Sequence, residues 1–274
     1  MSVVITGANG KLGTLIIKEL LTRLPAEQII ACVRQPDSAQ SIAAQGIGVR
    51  FCDYDQPESL SVAFAGADKL MFISSSHHDD TVRLSQHERI IEAAKKAQVQ
   101  HILYTSFAYV ERGSISLTQM HLSTERAIAA SGIPYTFLRN ALYTDFVGAL
   151  GLNSAIAEGE MVVYPGALKF NTVTREDLAL GIAAVLSESG HEGMSYELTA
   201  SQLWTFDELV EVLSIHTGKR IALRQDNQIQ NWIFGFLNKI DTSSTSTDLE
   251  KIMGRPVTSL KDSIQRILEE ANGS

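Results

Sequence analysis

The sequence predicts a doubly wound α/β fold, in which helices cover both faces of a parallel sheet. Short apolar runs alternate along the chain with longer segments whose apolar residues recur at helical spacing, a pattern typical of βαβ units. The composition, with 45% hydrophobic and 20% charged residues, is that of an ordinary globular protein. A length of 274 residues accommodates one large α/β domain or two smaller ones.

Charge and composition exclude several classes of partner. The formal net charge is −8, from 23 basic and 31 acidic residues. Such a charge repels nucleic acid and anionic membrane surfaces, so we expect neither as a partner. The two cysteines, Cys32 and Cys52, match no metal or redox spacing. Because we find no signal peptide and no apolar run of membrane-spanning length, we expect a cytoplasmic protein.

Strands and helices alternate regularly in the first half of the chain. Asp55 stands two residues before Pro57, so we predict that it caps a helix that ends at Gly66. The helix after the first strand is expected to stop before Pro25. The strands are predicted at residues 3–6, 29–33, 49–52, 69–74, 101–106 and 135–139, and two further helices at residues 82–97 and 117–131.

The alternation loosens after about residue 140. We predict short strands at residues 161–164 and 195–198 and an amphipathic helix at 175–187. Thr205 and Glu208 form a capping-box pattern for a helix that runs to about His216. The polar segment 241–248 predicts a mobile loop. We therefore expect a first domain over residues 1–140 and a smaller C-terminal part over 141–274, some segments of which return to the main sheet.

A glycine-rich segment joins the first strand to its helix: Thr6-Gly7-Ala8-Asn9-Gly10-Lys11-Leu12-Gly13. Gly7 permits a tight turn, Gly10 lets a pyrophosphate approach the backbone, and Gly13 lets the helix pack closely on the strand. The alternative is a glycine turn without a ligand. Because strand, turn and helix follow in this order, the segment predicts an NAD(P)-binding Rossmann domain whose residues 7–13 contact the cofactor.

The end of the second strand indicates which dinucleotide is preferred. An enzyme that prefers NAD usually has an acidic residue there for the ribose 2′-hydroxyl. Here Val33 is followed by Arg34, and no acidic residue occurs before Asp37. A guanidinium suits a 2′-phosphate, and Lys11 adds a second positive charge. We predict NADP(H) as the preferred cofactor, with NADH as the weaker one; the alternative is that Arg34 is an ordinary surface arginine.

The T-G-x-x-G-x-x-G spacing resembles that of the short-chain dehydrogenase/reductase superfamily. Three further segments lie at strand ends: Asp53-Tyr54, Ser74-Ser75-Ser76 and Tyr104-Thr105-Ser106. Together with residues 131–140, they resemble the atypical NmrA-like branch, and within it the reductases of quinones and of triphenylmethane dyes. The resemblance spans essentially the whole chain. It implies that the cofactor contacts extend beyond the glycine turn to Asp53, Tyr54, Ser74, Ser75, Ser76, Thr105 and His121.

One motif of the superfamily is missing. Carbonyl reductases carry Tyr-x-x-x-Lys, whose tyrosine protonates the developing alkoxide. Counting back from Ser131-Gly132 places this pair at Leu117 and His121, with Glu125 one turn later. The apolar side chain of Leu117 cannot donate a proton. The resemblance implies an electron-poor acceptor, whose reduced form takes its proton from solvent.

Several residues near the strand ends are candidates for catalysis and substrate binding. We predict His121, Ser106 and Tyr109 as catalytic, although His121 could be an ordinary helix-surface residue and Ser106 could merely end a strand. Ligands of open α/β sheets bind beyond the carboxyl ends of the strands. Aromatic residues there could form a flat slot, or they could belong to the core. The predicted substrate residues are Phe107, Asn140, Tyr143 and Phe146.

The histidines after the fourth strand do not predict a metal site. His77 and His78 are adjacent, so their side chains diverge, and with His87 they match no zinc spacing. We expect a loop that borders the cofactor and no bound metal.

The leading functional hypothesis is an NADPH-dependent oxidoreductase. It would transfer hydride to quinones or related electron-poor aromatic compounds, triphenylmethane-type dyes included. The alternative is an NmrA-like regulatory protein that senses NADP(H) without catalysis. A sugar-nucleotide epimerase is weaker because it needs the Tyr-x-x-x-Lys pair. We expect a monomer or a homodimer.

Overall fold

The computed structural model describes residues 1–272. The strands are β1 (Val3–Ile5), β2 (Ile29–Val33), β3 (Gly48–Phe51), β4 (Lys69–Phe72), β5 (His101–Phe107), β6 (Tyr135–Asn140), β7 (Glu160–Val163), β8 (Lys169–Phe170), β9 (Met194–Leu198), β10 (Trp204–Thr205) and β11 (Ala222–Gln225). The helices are α1 (Lys11–Leu20), α2 (Gln40–Ala43), α3 (Pro57–Ala63), α4 (Asp80–Lys96), α5 (Ser116–Ala130), α6 (Leu152–Glu158), α7 (Arg175–Ser187), α8 (Phe206–Thr217), α9 (Trp232–Leu237), α10 (Asp248–Met253) and α11 (Leu260–Asn272).

A seven-stranded sheet in the order β3-β2-β1-β4-β5-β6-β9 forms the centre of the molecule. Every neighbouring pair in it is parallel. The strand order reverses between β1 and β4, and ligands of doubly wound folds bind in the crevice at such a point. The predicted fold class is confirmed.

Helices cover both faces of this sheet. One core lies between the sheet and the α1 and α7 layer, and a second lies between the sheet and helices α3, α4 and α5. Segments from the second half of the chain take part, because β9 pairs with β6 and α7 packs against α1. A third core holds the remaining C-terminal elements together. The division of the chain near residue 140 stays a prediction.

One local prediction is wrong. Helix α3 has Gln56, without a side-chain bond, at its N-cap. The Asp55 carboxylate instead accepts hydrogen bonds from Gln86 and Arg89 of α4, and these donors compete successfully with the helix terminus. The segment 241–248 is a loop up to the start of α10, as predicted, and within it Asp241 accepts bonds from the amides of Ser243 and Ser244 and pairs with Arg112; its mobility stays a prediction. Low hydrophobicity does not reveal such polar partners.

The capping box is confirmed. Thr205 and Glu208 bond reciprocally to each other's backbone at the start of α8, which satisfies two N–H groups that the helix itself cannot. Among residues 1–272, no helix combines the length and the hydropathy that crossing a membrane requires.

Candidate cofactor and active site

The glycine turn is built for close backbone approach. Gly7 has a left-handed backbone with φ of 61°, which glycine adopts without strain. A Cβ at Gly13 would lie 2.4 Å from the Gly7 carbonyl oxygen, so only glycine lets α1 start this close to β1. Gly10 is the N-cap of α1 and provides no side-chain cap. The first-turn N–H groups of α1 are therefore available to an anion such as a pyrophosphate.

A cleft of about 460 Å³ lies beside this turn, at the carboxyl ends of β2, β3 and β4. It is lined by many of the predicted cofactor residues: Gly7, Asn9, Gly10, Arg34, Asp53, Tyr54, Ser74, Ser75 and Ser76. His77 and His78 also border it. Within the described chain, no group of three or more potential metal ligands is found. The shape and the lining suit the adenosine half of a dinucleotide.

The two basic residues predicted to select NADP(H) face different cavities. Arg34 is exposed at the cleft, and its guanidinium has no hydrogen-bond or ion-pair partner among residues 1–272. It is free to bind a 2′-phosphate. Lys11 lines a second cavity of about 300 Å³ that also contains Tyr143 and Arg175. Lys11 is not among the residues that line the cleft that Arg34 borders.

Tyr54 forms a wall of the cleft instead of a polar contact point. Its hydroxyl donates to the Ile73 carbonyl oxygen at 2.9 Å, and its ring meets Phe72 edge to face. Burial raises the pKa of Tyr54. Asp53 accepts bonds from the Asp55 amide and the Gln56 side chain, which orient its carboxylate.

The serines at the end of β4 are held by α4, a helix that has no residue in the predicted site. Arg83 donates to Ser74 Oγ at 3.2 Å, and Ser75 Oγ donates to Gln86 Oε1 at 2.5 Å. The Ser75 amide donates to His87 Nε2 at 2.9 Å. Gln86 and His87 lie on the same buried face of α4 as Ile90. Polar residues at positions that helical periodicity assigns to the core could have identified them as site residues from the sequence.

His121 lies on α5 and is 4% exposed. Its Nδ1 is 2.7 Å from the Tyr104 hydroxyl, and its ring centroid is 6.2 Å from that of Phe107. Burial, followed by the charge of Arg83, lowers the pKa of His121 well below its usual value. The imidazole is therefore neutral at physiological pH. Leu117 is half-buried in the first turn of the same helix.

Two buried polar atoms at the ends of β5 and β6 lack partners within residues 1–272. They are Ser106 Oγ and Asn140 Oδ1, on residues that are 4% and 5% exposed. Asn140 pairs in register with Phe107, the residue after Ser106. Buried polar groups are normally hydrogen-bonded, so each of these two atoms is a candidate to bond a polar group of a ligand. Thr105 Oγ1, in contrast, already accepts the Ser74 amide.

Tyr109 follows β5 in a left-handed conformation, with φ of 48°, which is uncommon for a residue with a bulky side chain. Its amide donates to Glu197 at 2.8 Å, and the Arg112 guanidinium lies 4.9 Å from its ring centroid. Burial raises the pKa of Tyr109, so its phenol is protonated at neutral pH.

A single guanidinium ties together the elements that surround these residues. Arg139 makes a bidentate pair with Glu125 at 2.9 and 2.7 Å, and it also pairs with Glu111 and Glu197. Burial opposes its charge, but the bonds to Glu125 and Glu197 raise the pKa of Arg139 overall. Burial raises the pKa of Glu197. No local pattern in the sequence indicates this cluster, because its members come from four separate elements.

The predicted aromatic residues do not share one slot. Phe107 lies beside His121, whereas the Phe146 ring packs 5.3 Å from Phe170 and 5.9 Å from Trp204. Tyr143 lies under Arg175, with 4.2 Å between the guanidinium and the ring centroid. Of these three residues, Phe107 has a ring contact with a predicted catalytic side chain, that of His121, and substrate contacts by all three stay predictions.

The glycine turn, the cleft and the switch point together define a dinucleotide-binding protein of the Rossmann type. Residues 7–189 match the NAD(P)H-binding family, and the chain belongs to this family. NAD(P)H is its cofactor.

Particular relatives cover nearly all of the chain. It is 35% identical to quinone oxidoreductase 2 of Escherichia coli (strain K12) over 98% of this chain and 100% of that protein. Triphenylmethane reductase of Citrobacter sp., in complex with NADP(H), has 43% identity and a TM-score of 0.92 over 97% of this chain and 100% of its own. An Escherichia coli NADPH-dependent quinone oxidoreductase in complex with NADPH has 34% identity and a TM-score of 0.87 over 97% and 99% of the two chains. The resemblance predicted from the motifs is confirmed, and the chain is an NAD(P)H-dependent oxidoreductase.

Proposed function

We propose that this protein is an NADPH-dependent reductase that passes hydride to a quinone or a related electron-poor aromatic acceptor, triphenylmethane-type dyes included. The observation that carries the proposal is the pair of positions on α5. Leu117 offers no proton, and His121 is a buried neutral imidazole bonded to Tyr104. This arrangement suits an acceptor that needs no acid at the moment of hydride transfer. Full-length likeness to reductases of quinones and triphenylmethane dyes supports the same conclusion.

The preference for NADPH rests on Arg34. Its unpaired guanidinium borders the cleft beside the end of β2, where the 2′-substituent of the adenosine ribose lies in this fold. A guanidinium binds a dianionic phosphate with paired, charge-assisted hydrogen bonds. The same group gains much less from a 2′-hydroxyl.

The residues at the ends of β5 and β6, and Tyr109 just after β5, would hold NADPH and the acceptor together. Bound NADPH supplies the hydride. Ser106 Oγ and Asn140 Oδ1 are free to bind polar groups of the cofactor or the acceptor, and the Phe107 ring offers an apolar face next to them. The Tyr109 phenol, protonated at neutral pH, can donate a hydrogen bond to an acceptor oxygen. The main contribution of such a site to the reaction rate is to hold the hydride donor and the acceptor in a reactive orientation.

The assay that tests the proposal follows NADPH absorbance with a panel of quinones, cationic dyes and simple ketones. We expect oxidation with quinones or dyes and little with ketones. Calorimetric titration with NADPH runs in parallel. Tight NADPH binding without oxidation by any acceptor would instead indicate a regulatory protein that senses NADP(H). A cytoplasmic location and a monomeric or homodimeric state stay predictions.

A further inference from the structure

His87 is a buried histidine that the proposed function leaves unexplained. It is fully buried on α4, and both ring nitrogens have partners. Nε2 accepts the Ser75 amide at 2.9 Å, and Nδ1 lies 2.9 Å from Thr124 Oγ1 on α5. It thus bridges the lining of the cofactor cleft and the helix that carries His121.

The partners of His87 fix its protonation. A backbone amide can only donate, so Nε2 must be unprotonated. Burial, followed by the charge of Arg83, lowers the pKa of His87 to about 3, so the ring is neutral and its one proton is on Nδ1. That proton goes to Thr124 Oγ1, whose own hydrogen goes to the Met120 carbonyl oxygen at 2.9 Å. Every hydrogen bond of the bridge therefore has a defined direction.

Two routes connect His87 with His121. Thr124 is one helical turn after His121 on α5. The His87 ring also packs edge-on against Tyr104, with 5.7 Å between centroids, and the Tyr104 hydroxyl bonds to His121. A shift of the His87 ring would thus disturb both the α5 backbone and the partner of His121.

We propose that His87 is a positioning residue that fixes the Ser75 turn of the cofactor cleft relative to the His121 helix. The proposal rests on the proposed function, since it assigns the cleft to NADPH and the α5 side to the acceptor. The Ser75 bond would keep the floor of the cleft ordered before NADPH binds. The Thr124 bond would keep His121 aligned with that floor.

The test separates the two hydrogen bonds of the ring. Glutamine presents an amide oxygen near the Nε2 position and can keep the Ser75 bond, whereas asparagine presents an amide N–H near the Nδ1 position and can keep the Thr124 bond. For His87→Asn we expect the Kd for NADPH to rise about tenfold, because the unpinned turn must be ordered on binding. For His87→Gln we expect that Kd within about twofold of the parent and kcat/KM for a quinone about tenfold lower.

The matched control is His101→Gln. His101 is a buried histidine that also bonds to a threonine, Thr136, but it begins β5 and so lies at the amino-terminal end of the strands, opposite the cofactor cleft. His101→Gln should lower the stability of the fold. It should change neither the Kd for NADPH nor kcat/KM for the quinone. Thr124→Val serves where the His87 variants fail to fold, and it should behave like His87→Gln. Parallel changes in the two His87 variants, or the same pattern in the control, would overturn the proposal.

The experiment also distinguishes failure of the positioning role from failure of the proposed function. The Kd for NADPH is measured without turnover. If none of the acceptors supports NADPH oxidation by the parent protein, hydrogen exchange of the α5 amides replaces kcat/KM as the measurement. Faster exchange of α5 in His87→Gln than in His87→Asn would support the bridge, and equal exchange would contradict it.

Discussion

The Tyr104 hydroxyl lies 2.7 Å from Nδ1 of His121, and both side chains are buried. Burial raises the pKa of Tyr104, whereas burial and the charge of Arg83 lower the pKa of His121. Both groups are neutral around pH 7. Neither group changes its protonation in this range, so the pair is a fixed hydrogen bond that gives the rate no pH dependence of its own.

The rate with a good quinone acceptor should therefore be insensitive to pH. We expect kcat to lack a descending limb from an enzyme acid between about pH 6 and 9, the range in which general acids usually titrate. Deuterium at the transferred position of NADPH should slow the chemical step, and solvent deuterium should have little effect. The measurements are a pH profile of kcat and the two isotope effects.

The matching variant is His121→Ala. We expect a smaller loss of rate than removal of a catalytic acid causes, which is about 10²–10⁴-fold. A large solvent isotope effect together with near-complete loss of activity would show that His121 is the proton donor. Ordinary carbonyl reduction would then be the better description of the reaction.

Cofactor preference should depend on Arg34. In Arg34→Asp, a carboxylate would repel the 2′-phosphate and accept a bond from a 2′-hydroxyl. We expect kcat/KM to fall strongly with NADPH and to change little with NADH. The control is Arg23→Asp, three residues after the end of α1. It should leave the ratio of kcat/KM with NADPH to kcat/KM with NADH unchanged. An unaltered ratio in Arg34→Asp would mean that another residue selects the cofactor.

Arg139 should contribute to both stability and acceptor use. Arg139→Met leaves Glu125, which is 4% exposed, as a buried carboxylate without its bidentate partner. Removing one member of a buried pair typically costs about 3–5 kcal/mol of unfolding free energy. Arg139→Met combined with Glu125→Gln should recover part of it. Urea unfolding of the single and double variants measures the coupling.

Activity provides the second readout for Arg139. Glu197, one of its partners, holds the amide of the left-handed Tyr109, so kcat/KM for the quinone should fall more than the affinity for NADPH. Arg112→Met removes a guanidinium that is 59% exposed from its pair with Asp241 and should cost much less stability. Equal stability losses in the two arginine variants would contradict this account.

Three buried histidines with lowered pKa values, His87, His101 and His121, should make the fold sensitive to acid. Burial lowers the pKa of His87 to about 3 and that of His101 to about 4, against about 6.5 in the unfolded chain. Below about pH 6.5 the unfolded state binds protons that the folded state does not, so stability falls from there towards about pH 4. The slope per histidine reaches about 1.4 kcal/mol per pH unit.

Urea unfolding across this pH range measures the effect. His101→Gln should show a shallower loss of stability with falling pH than the parent. His77→Gln replaces an exposed histidine and should retain the parent slope. A parent slope in His101→Gln would mean that His101 takes up its proton equally in both states.

The sequence by itself determined the features that depend on neighbours along the chain. The alternation of apolar runs and helical periods specified the doubly wound sheet, and the spacing of Gly7, Gly10 and Gly13 specified the turn at its first strand. The capping box at Thr205 is equally local, since its two bonds join residues three positions apart. Arg34 could be placed beside the cleft because it immediately follows β2.

Only the tertiary structure decided which distant polar groups meet. Arg139 binds Glu111, Glu125 and Glu197, and the Lys69 ammonium binds the Leu186 carbonyl oxygen at 2.9 Å across 117 positions of sequence. His87 reaches its two partners only because α4 packs between the end of β4 and α5. Periodicity predicts which residues are buried, but a buried polar group takes whichever partner the packing of elements brings within about 3 Å. That choice depends on the relative placement of whole helices and strands, which no local pattern encodes.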